Sequence, residues 1–226
     1  MIPKIIHQIW TTADDKPMPA VVVELCDTWK ENHPECEYIL WDRNLLHQFI
    51  KKYYYKYVYL LESYHYDIQR IDALKYFVLH HYGGVYVDVD SENIRNIFEL
   101  LGEHDCYLSR EQDNLTSVLG NSFIACQPQS QFVTWLLDRL EDAASNIPPE
   151  LDKLNSVLRS TGPIFLTEAY TAFNAKEKVF LLSSCHLSPL SASESREMMR
   201  TGVMTEIIED KMARSYAVHY YFTTWL

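Results

Sequence analysis

Hydrophobic and polar residues alternate at residues 85–90, and this stretch is predicted to form a β-strand. Three valines alternate there with Tyr86, Asp88 and Asp90. A period of two places the valines on one face of the strand and the tyrosine and both carboxylates on the other. Further strands are predicted at residues 4–10, 38–41, 106–109 and 122–125.

Apolar residues spaced three or four apart predict helices between these strands. The predicted helices cover residues 19–32, 43–52, 67–82, 129–143 and 163–174. Asp42 and Asp67 are predicted N-caps, and Gly83 stands where a left-handed residue would end a helix. The inward stripe predicted for the helix at 67–82 consists of Ile68, Ile71, Leu74, Val78 and Tyr82. Residues 188–203 are rich in Ser and Glu and are predicted to form a loop.

The alternation of strands and helices over the first half of the chain predicts an α/β fold. The 226 residues are enough for one substantial core, and no low-complexity linker divides them. We therefore expect residues 1–226 to form a single domain.

The charge balance excludes one large class of partner. The formal net charge is −11, and no run of Lys or Arg is long enough to follow a nucleic-acid backbone. The chain also lacks a signal-peptide pattern and any stretch near the roughly 18 apolar residues that span a membrane. We expect a cytoplasmic protein with no membrane span, for which association with a membrane surface stays open.

Cysteine and histidine patterns add no further chemistry. The five cysteines are scattered and form no C-x-x-C motif, which indicates reduced thiols and no zinc site. His7, His80 and His81 are interpreted as structural. No Ser-His-Asp, Cys-His or Walker-type pattern occurs, so hydrolase and P-loop functions have no support.

Asp88 and Asp90 are a candidate metal site. Residues two apart on a strand lie about 6.5 Å from each other, and two carboxylates at that distance repel unless a cation or solvent intervenes. Mg²⁺ and Mn²⁺ suit such an oxygen pair and also hold diphosphates. With fourteen Asp in the chain, about one Asp-x-Asp is expected by chance. A solvated strand end is therefore the alternative for the triplet alone.

Six separate motifs favour a metal site over a solvated strand end. They are Ile2–Trp10, Asp67–Arg70, Gly83–Asp90, Asn121–Phe123, Thr161–Pro163 and His219–Trp225. In these motifs and their order the chain resembles glycosyltransferase family 32, the group with a sugar-binding region containing a DXD motif. Residues 68–84 are most similar to the mannosyltransferases that act on inositol phosphorylceramide. The resemblance covers nearly the whole chain.

This resemblance implies a GT-A fold, in which helices flank a single mixed, mostly parallel, Rossmann-like sheet. It implies a retaining transferase that uses Mn²⁺ or Mg²⁺ and a nucleotide sugar as donor. GDP-mannose is favoured by the subgroup, while UDP-glucose and UDP-galactose stay open. The acceptor would be a hydroxyl of a glycan or a glycolipid.

The resemblance also implies roles for individual residues. Asp90 would bind the metal directly, and Asp88 would contact the metal through water or the donor ribose. Asp67 and Arg70 would hold the donor sugar, with Arg70 also near the phosphates; a surface salt bridge is the alternative. Asn121 would contact the donor sugar or the acceptor, or else cap a strand.

Residues near the two ends of the chain are expected at the nucleotide. Ile9 and Trp10 would lie at the nucleobase, although a large aromatic often fills the core instead. Thr223 and Trp225 would close over the diphosphate. His219 would complete the metal shell, and a histidine within an aromatic cluster is the alternative.

Two other functions stay open. One is a glucosyltransferase that modifies a protein, as clostridial-type glucosylating toxins do, although this chain has little room for their helical recognition region. The other is a binding protein for nucleotide sugars without turnover. Family members often carry two consecutive histidines where this chain has His219 followed by Tyr220, and that departure favours the binding protein.

Overall fold

A computed structural model describes residues 1–11, 16–111 and 118–222, and its centre is a six-stranded mixed sheet. In chain order the strands are β1 (Ile5–Ile9), β2 (Glu37–Trp41), β3 (Gly84–Val87), β4 (Ser91–Asn93), β5 (Cys106–Arg110), β6 (Leu119–Cys126), β7 (Val179–Leu182) and β8 (Ala217–His219). The order across the large sheet is β2-β1-β3-β6-β5-β7, and β4 pairs with β8 in a separate two-stranded sheet.

Both directions of strand pairing occur in the large sheet. Strand β1 is parallel to β2 and β3, and β5 is parallel to β7. Strand β6 is antiparallel to both of its neighbours, β3 and β5. The predicted α/β class with a mixed, mostly parallel sheet is confirmed.

Helices flank this sheet and follow the predicted order in the first half of the chain. The α-helices within the described residues are α1 (Ala20–Glu31), α2 (Arg43–Tyr53), α3 (Val58–Ser63), α4 (Asp67–Tyr82), α5 (Gln131–Leu137), α6 (Leu140–Ser145), α7 (Lys153–Ser160), α8 (Pro163–Ala172), α9 (Ser184–Leu187), α10 (Ala192–Thr201) and α11 (Glu206–Arg214). Within the described ranges, none of them is both long and apolar enough to cross a lipid bilayer. All five cysteines are free thiols, as predicted.

Alternate residues of strand β3 enter two different hydrophobic cores. Val85 and Val87 pack on the side of the sheet that includes Trp29 of α1. Tyr86 lies on the opposite side, in the core that includes Tyr76 and other residues of α4. The predicted division of this strand into two faces is confirmed, but helices bury both faces.

The predicted strand at residues 85–90 ends early. Strand β3 stops at Val87, and the backbone then turns through Asp88 and Asp90 before β4 begins. The N–H of Ser91 donates to the carbonyl oxygen of Asp88 at 3.2 Å and closes this turn. The two carboxylates therefore lie on a turn and are not two neighbours along one extended strand.

Helix termini follow the predictions in part. Asp42 caps α2, because its carboxylate accepts the N–H of Leu45 at 2.8 Å. Asp67 is the first helical residue of α4, and Tyr66 is the N-cap, so the predicted cap was one residue late. Gly83 ends α4 with a φ of +63° as predicted, but its ψ of −153° directs the chain straight into β3.

The predicted inward stripe of α4 is confirmed for four of its five residues. Val78 lies in the core, and Ile71, Leu74 and Tyr82 are half-buried against it. The buried set of α4 is wider and includes polar side chains: Gln69, Asp72, Ala73, Lys75, Tyr76, Phe77, Val78 and Leu79. This helix lies among β3, β6, α3, α5 and α7, so neighbours cover most of its circumference.

The second half of the chain contains more helix than the pattern predicted. The predicted loop at 188–203 contains helix α10, whose capping box pairs Ser191 with Glu194. The predicted helix at 129–143 is divided into α5 and α6 by a break at Asp138 and Arg139. Helix α8 begins with Pro163 in its first turn, as predicted.

Candidate functional site

Three potential metal ligands meet just beyond the end of β3. They are Asp88, Asp90 and His219, whose ligand atoms all lie within 4.8 Å of one another. The pairing of β4 with β8 sets Ser91 opposite His219 and so brings the imidazole beside Asp90. His219 Nε2 lies 3.2 Å from Asp90 Oδ1. The cluster joins residues about 130 positions apart along the chain, and the role of His219 as a metal ligand remains a prediction.

Backbone contacts fix Asp90 within this cluster. The N–H of Phe222 donates to Asp90 Oδ2 at 2.9 Å, and the N–H of Tyr220 donates to the Asp90 carbonyl oxygen at 2.9 Å. Burial raises the pKa of Asp90, but His219 and the hydrogen bond from the Phe222 N–H together outweigh it, so the net pKa is lowered. Burial lowers the pKa of His219, and the carboxylates of Asp90, Asp88 and Glu111 together more than reverse that effect. Without an ion the two groups form a charged pair.

Asp88 is held from two directions. The hydroxyl of Tyr86 donates to Asp88 Oδ1 at 2.7 Å. The side-chain amide of Gln8 donates to the Asp88 carbonyl oxygen at 3.3 Å, and Tyr38 in turn donates to Gln8 at 2.5 Å. Within the described part of the chain, both the Tyr86 hydroxyl and the Lys75 ammonium group contact Oδ1 of this carboxylate. These two contacts leave Oδ2 for a ligand.

A buried lysine lies next to Asp88. Lys75 Nζ is 3.5 Å from Asp88 Oδ1 and 2.8 Å from Asp72 Oδ1, and the lysine side chain is 2% exposed. Burial lowers the pKa of Lys75, but the two carboxylates outweigh burial and raise it. The lysine is therefore a fixed positive charge below the cluster. The sequence interpretation missed it, although a lysine within a long apolar helical stretch is a usable signal.

Asn121 belongs to the same network. Its side-chain amide donates to Asp72 Oδ1 at 3.0 Å, and its carbonyl oxygen accepts from Lys75 Nζ at 3.1 Å. Strand β6 thus joins helix α4 next to the candidate metal site. The structure brings Asn121 close to the cluster through Lys75, and its contact with a substrate remains a prediction.

A further carboxyl group approaches the cluster from the residue that follows β5. Burial raises the pKa of Glu111, and the opposing effect of His219 is smaller. A Cβ atom on Gly120 would lie 3.0 Å from Glu111 Cγ, so this glycine leaves room for the glutamate. Nothing in the sequence around Glu111 distinguishes it, and the interpretation of the sequence missed it.

Asp67 and Arg70 pair with each other at a different place. Arg70 Nη1 lies 2.5 Å from Asp67 Oδ1. The same guanidinium donates to the carbonyl oxygens of Leu61 and Tyr64. Both residues line a cavity of about 260 Å³ whose lining includes none of the three candidate metal ligands. Their predicted contact with the donor sugar therefore remains a prediction.

The residues expected at the nucleobase lie at the end of β1. The side chain of Ile9 is 5% exposed and belongs to the core. Trp10 is half-buried, and its indole N–H donates to the Lys16 carbonyl oxygen at 3.3 Å. Thr11 follows and lines the cavity that Asp67 lines. Thr223 and Trp225 lie outside the described residues.

The residues at the cluster fit a divalent ion. Ligands of one ion at about 2.1 Å lie at most about 4.2 Å apart, so the three side chains need only a small contraction from the separation they have. Two carboxylates with one imidazole suit Mn²⁺ and are also acceptable to Mg²⁺. The ion would take the place of the proton shared between Asp90 and His219.

Comparison with known proteins identifies relatives of the chain. Residues 19–108, which include the Asp88–Asp90 turn, match the family described as glycosyltransferase sugar-binding region containing DXD motif. Mannosyl phosphorylinositol ceramide synthase SUR1 of Saccharomyces cerevisiae is 35% identical over 178 residues, which cover 74% of this chain and 41% of that protein. Inositol phosphoceramide mannosyltransferase 3 of Schizosaccharomyces pombe is 32% identical over 173 residues, with 76% and 46% covered.

The chain thus spans less than half the length of these two curated relatives. Among solved structures, PaToxG glycosyltransferase superposes with a TM-score of 0.54 at 15% identity and covers 96% of this chain and 89% of that one. At this identity the superposition bears on the fold, which is of the GT-A type. From the sequence matches and the site that they include, the chain belongs to the glycosyltransferase family whose sugar-binding region contains a DXD motif.

Proposed function

We propose that this chain is a retaining, metal-dependent mannosyltransferase. It takes a mannosyl unit from GDP-mannose and passes it to a hydroxyl group of an acceptor that carries inositol phosphate. The observation that carries this proposal is the convergence of Asp88, Asp90 and His219 at the end of β3. The relatives whose names specify mannose transfer support the choice of sugar.

Asp90 and His219 would be direct metal ligands, and Asp88 would bind through Oδ2 or through water. The ion would supply positive charge to the donor diphosphate and so stabilise the departing nucleotide. The chain carries a formal charge of −11, so an anionic donor needs a local cation at this position.

Lys75 and its hydrogen-bond partners fix the positions of Asp88 and Asn121. The ammonium group holds Asp88 Oδ1 and the Asn121 carbonyl oxygen in fixed positions. Asp72 balances the charge of the lysine from within the helix. We propose that the half-buried Asn121 is the side chain of this network that faces the donor sugar, since it bonds to Asp72 beside the cluster whereas Asp67 and Arg70 line a separate cavity.

The reaction exchanges one bond of the anomeric carbon for another. The acceptor hydroxyl oxygen attacks from the side on which the diphosphate leaves, which retains the configuration. The bond from the anomeric carbon to the phosphate oxygen breaks, and the hydroxyl proton passes to that phosphate oxygen. This mechanism is the one that the family resemblance implies. No side chain is assigned as a dedicated base, in contrast with the two catalytic carboxylates of a glycosidase.

A donor screen tests the proposal. The purified chain would be incubated with Mn²⁺ and, separately, GDP-mannose, UDP-glucose and UDP-galactose, and the free nucleotide released would be measured by chromatography. We expect slow release of GDP from GDP-mannose that stops when EDTA is added. Addition of inositol phosphorylceramide in detergent micelles should accelerate GDP release and yield a mannosylated lipid.

Other outcomes contradict separate parts of the proposal. Release of UDP alone would replace the donor but preserve the transferase. Acceleration by a protein and not by the glycolipid would replace the acceptor. Tight binding of a donor with no release under Mn²⁺ or Mg²⁺ would make the chain a binding protein.

A further inference from the structure

One segment of this acidic protein is basic and aromatic. Residues 43–61 contain one Arg and three Lys but neither Asp nor Glu, although the whole chain has a formal charge of −11. The same segment contains five of the sixteen tyrosines. We call residues 43–61 the basic–aromatic segment; it consists of α2, a short 3₁₀ helix at Tyr55–Tyr57, and most of α3.

The tyrosines of this segment extend into solvent to an unusual degree. Tyr59 is 83% exposed, Tyr55 is 74% exposed, and Tyr53 is 43% exposed. An exposed tyrosine combines an apolar ring with a polar hydroxyl, and that combination is typical of the boundary between lipid and water. Three such residues within seven positions indicate a surface that meets a partly apolar environment.

The lysines of the segment are exposed and carry their charges outward. Within the described part of the chain, no carboxylate lies within salt-bridge distance of Lys51, Lys52 or Lys56, whereas eight other Lys and Arg residues have such a partner. Two of these ammonium groups instead lie over neighbouring rings. Lys52 Nζ is 4.8 Å from the centre of the Tyr53 ring, and Lys56 Nζ is 4.6 Å from that of Tyr57.

The basic–aromatic segment also borders the cavity described above. His47 and Lys51 of α2 and Val58 of α3 line it together with Asp67 and Thr11. Thr11 directly follows Trp10 at the end of β1. The segment therefore borders the end of the large sheet at which the parallel strand β1 stops.

We propose that the basic–aromatic segment docks this protein on the surface of an anionic lipid bilayer. Each lysine or arginine near such a surface contributes about 1 kcal/mol of attraction, and the tyrosines add contact at the depth of the headgroups. An acidic protein would otherwise be repelled by anionic lipid, so a local cationic segment is the feature that contact requires. The inference goes beyond the proposed transfer reaction and does not depend on it.

Vesicle sedimentation without metal or donor tests this inference. The protein would be mixed with vesicles of phosphatidylcholine alone and with vesicles that also contain phosphatidylserine. We expect binding only to the mixed vesicles and weaker binding as salt rises. Reversal of three charges in Lys51→Glu/Lys52→Glu/Lys56→Glu should weaken this binding by at least about a hundredfold.

Matched variants separate the segment from net charge and from general hydrophobicity. Lys4→Glu/Lys176→Glu/Lys178→Glu makes the same change in net charge at exposed lysines elsewhere and should retain most of the binding. Tyr55→Ser/Tyr59→Ser should weaken binding about tenfold. Met204→Ser/Ile207→Ser, at positions 51% and 70% exposed, should leave binding unchanged.

Three results would overturn the inference: equal binding to neutral and anionic vesicles, equal losses in the two lysine triples, or a loss confined to the Met204 and Ile207 variant. Absence of binding to either kind of vesicle would also overturn it, and an acidic protein partner would then be the next candidate. Circular dichroism and thermal melting would establish that every variant remains folded. Because vesicle binding needs neither Mn²⁺ nor a nucleotide sugar, its failure leaves the proposed transfer reaction untouched.

Discussion

Lys75 Nζ lies 3.5 Å from Asp88 Oδ1 and joins the interior of α4 to the first carboxylate of the DXD turn. The same ammonium group is 2.8 Å from Asp72 Oδ1. A charge this deeply buried is tolerated only when its partners are well placed, so the lysine constrains both carboxylates at once. The position of Asp88 therefore depends on a residue that would not itself reach a bound ion.

We expect Lys75→Met to destabilise the protein by about 3–5 kcal/mol, because it leaves Asp72 buried without its cation. Urea denaturation followed by circular dichroism would measure the loss. Lys75→Met/Asp72→Asn should recover part of that stability, since an amide needs no counter-charge. Nucleotide release should not recover with it, because Asp88 would still lack its anchor.

A matched pair on the surface provides the control. Lys30 and Asp27 have the same spacing in helix α1 and lie 2.7 Å apart, but both side chains are nearly half exposed. Lys30→Met should change the free energy of unfolding by no more than about 0.5 kcal/mol. Similar losses in the Lys75 and Lys30 variants would contradict the role assigned to burial.

Asp90→Asn should weaken nucleotide binding in the presence of Mn²⁺ by at least about tenfold and should have no effect when EDTA is present. The asparagine oxygen can still accept the N–H of Phe222, so the fold should persist. Calorimetric titration of GDP into each variant would measure the difference. Asp210→Asn, which alters an exposed carboxylate paired with Arg214, is the control. Unchanged Mn²⁺-dependent binding in Asp90→Asn would exclude Asp90 as a ligand.

His7 predicts how stability depends on pH. Burial lowers its pKa from 6.5 to about 4, and the hydrogen bond to the Gly83 carbonyl oxygen offsets only part of that effect. The unfolded chain therefore binds more protons between these values, so stability should be complete above about pH 6.5 and should fall as pH falls towards 4. The free energy of unfolding should be lower by about 3 kcal/mol once the pH is below both pKa values.

Urea denaturation of His7→Gln at pH 7 and pH 5 would check this expectation. The variant should lose stability at pH 7, because Trp41 donates to His7 Nδ1 at 3.2 Å and loses that acceptor. Its stability should then vary less with pH than that of the unmodified protein. His65→Gln, at an exposed position, should leave the original pH dependence in place.

Gly84→Ala should destabilise the sheet by about 2 kcal/mol or more. Gly84 has a φ of +90°, and an added Cβ atom would lie 2.6 Å from the carbonyl oxygen of Ile5 in the adjacent strand β1. Gly202→Ala isolates the conformational part of this cost, because Gly202 has a φ of +68° with no atom within 4 Å of the added Cβ. Its expected cost is about 1 kcal/mol. Thermal melting of both variants would show whether close packing at Gly84 adds to the strain.

The sequence was informative wherever one periodicity dominated. Alternation located β3, short and mostly apolar runs located β1 and β2, and capping chemistry located the start of α2 at Asp42. The turn at Asp88 was not recognised, because alternation continues through Val89 after the hydrogen bonds of the strand have ended. The same carboxylates were identified, but their relative geometry could not be inferred from a strand.

The polar network of α4 illustrates a different limit. A helix covered on most sides has no single apolar stripe, so a search for such a stripe selected Ile71 and Leu74 and passed over Lys75. Only the neighbouring strands show that this lysine lies between two carboxylates. Helix α10 was missed for a local reason, because the capping box of Ser191 and Glu194 was read only as polar composition.

The pairing of β4 with β8 determines when the candidate metal site can form during synthesis of the chain. Every strand of the large sheet lies between residues 5 and 182, whereas His219 comes from the final strand of the described chain. During synthesis the sheet can assemble while that imidazole has yet to leave the ribosome. A nascent chain would thus display its two aspartates before the residue that neutralises them, and any affinity of the cluster for an ion would mature last.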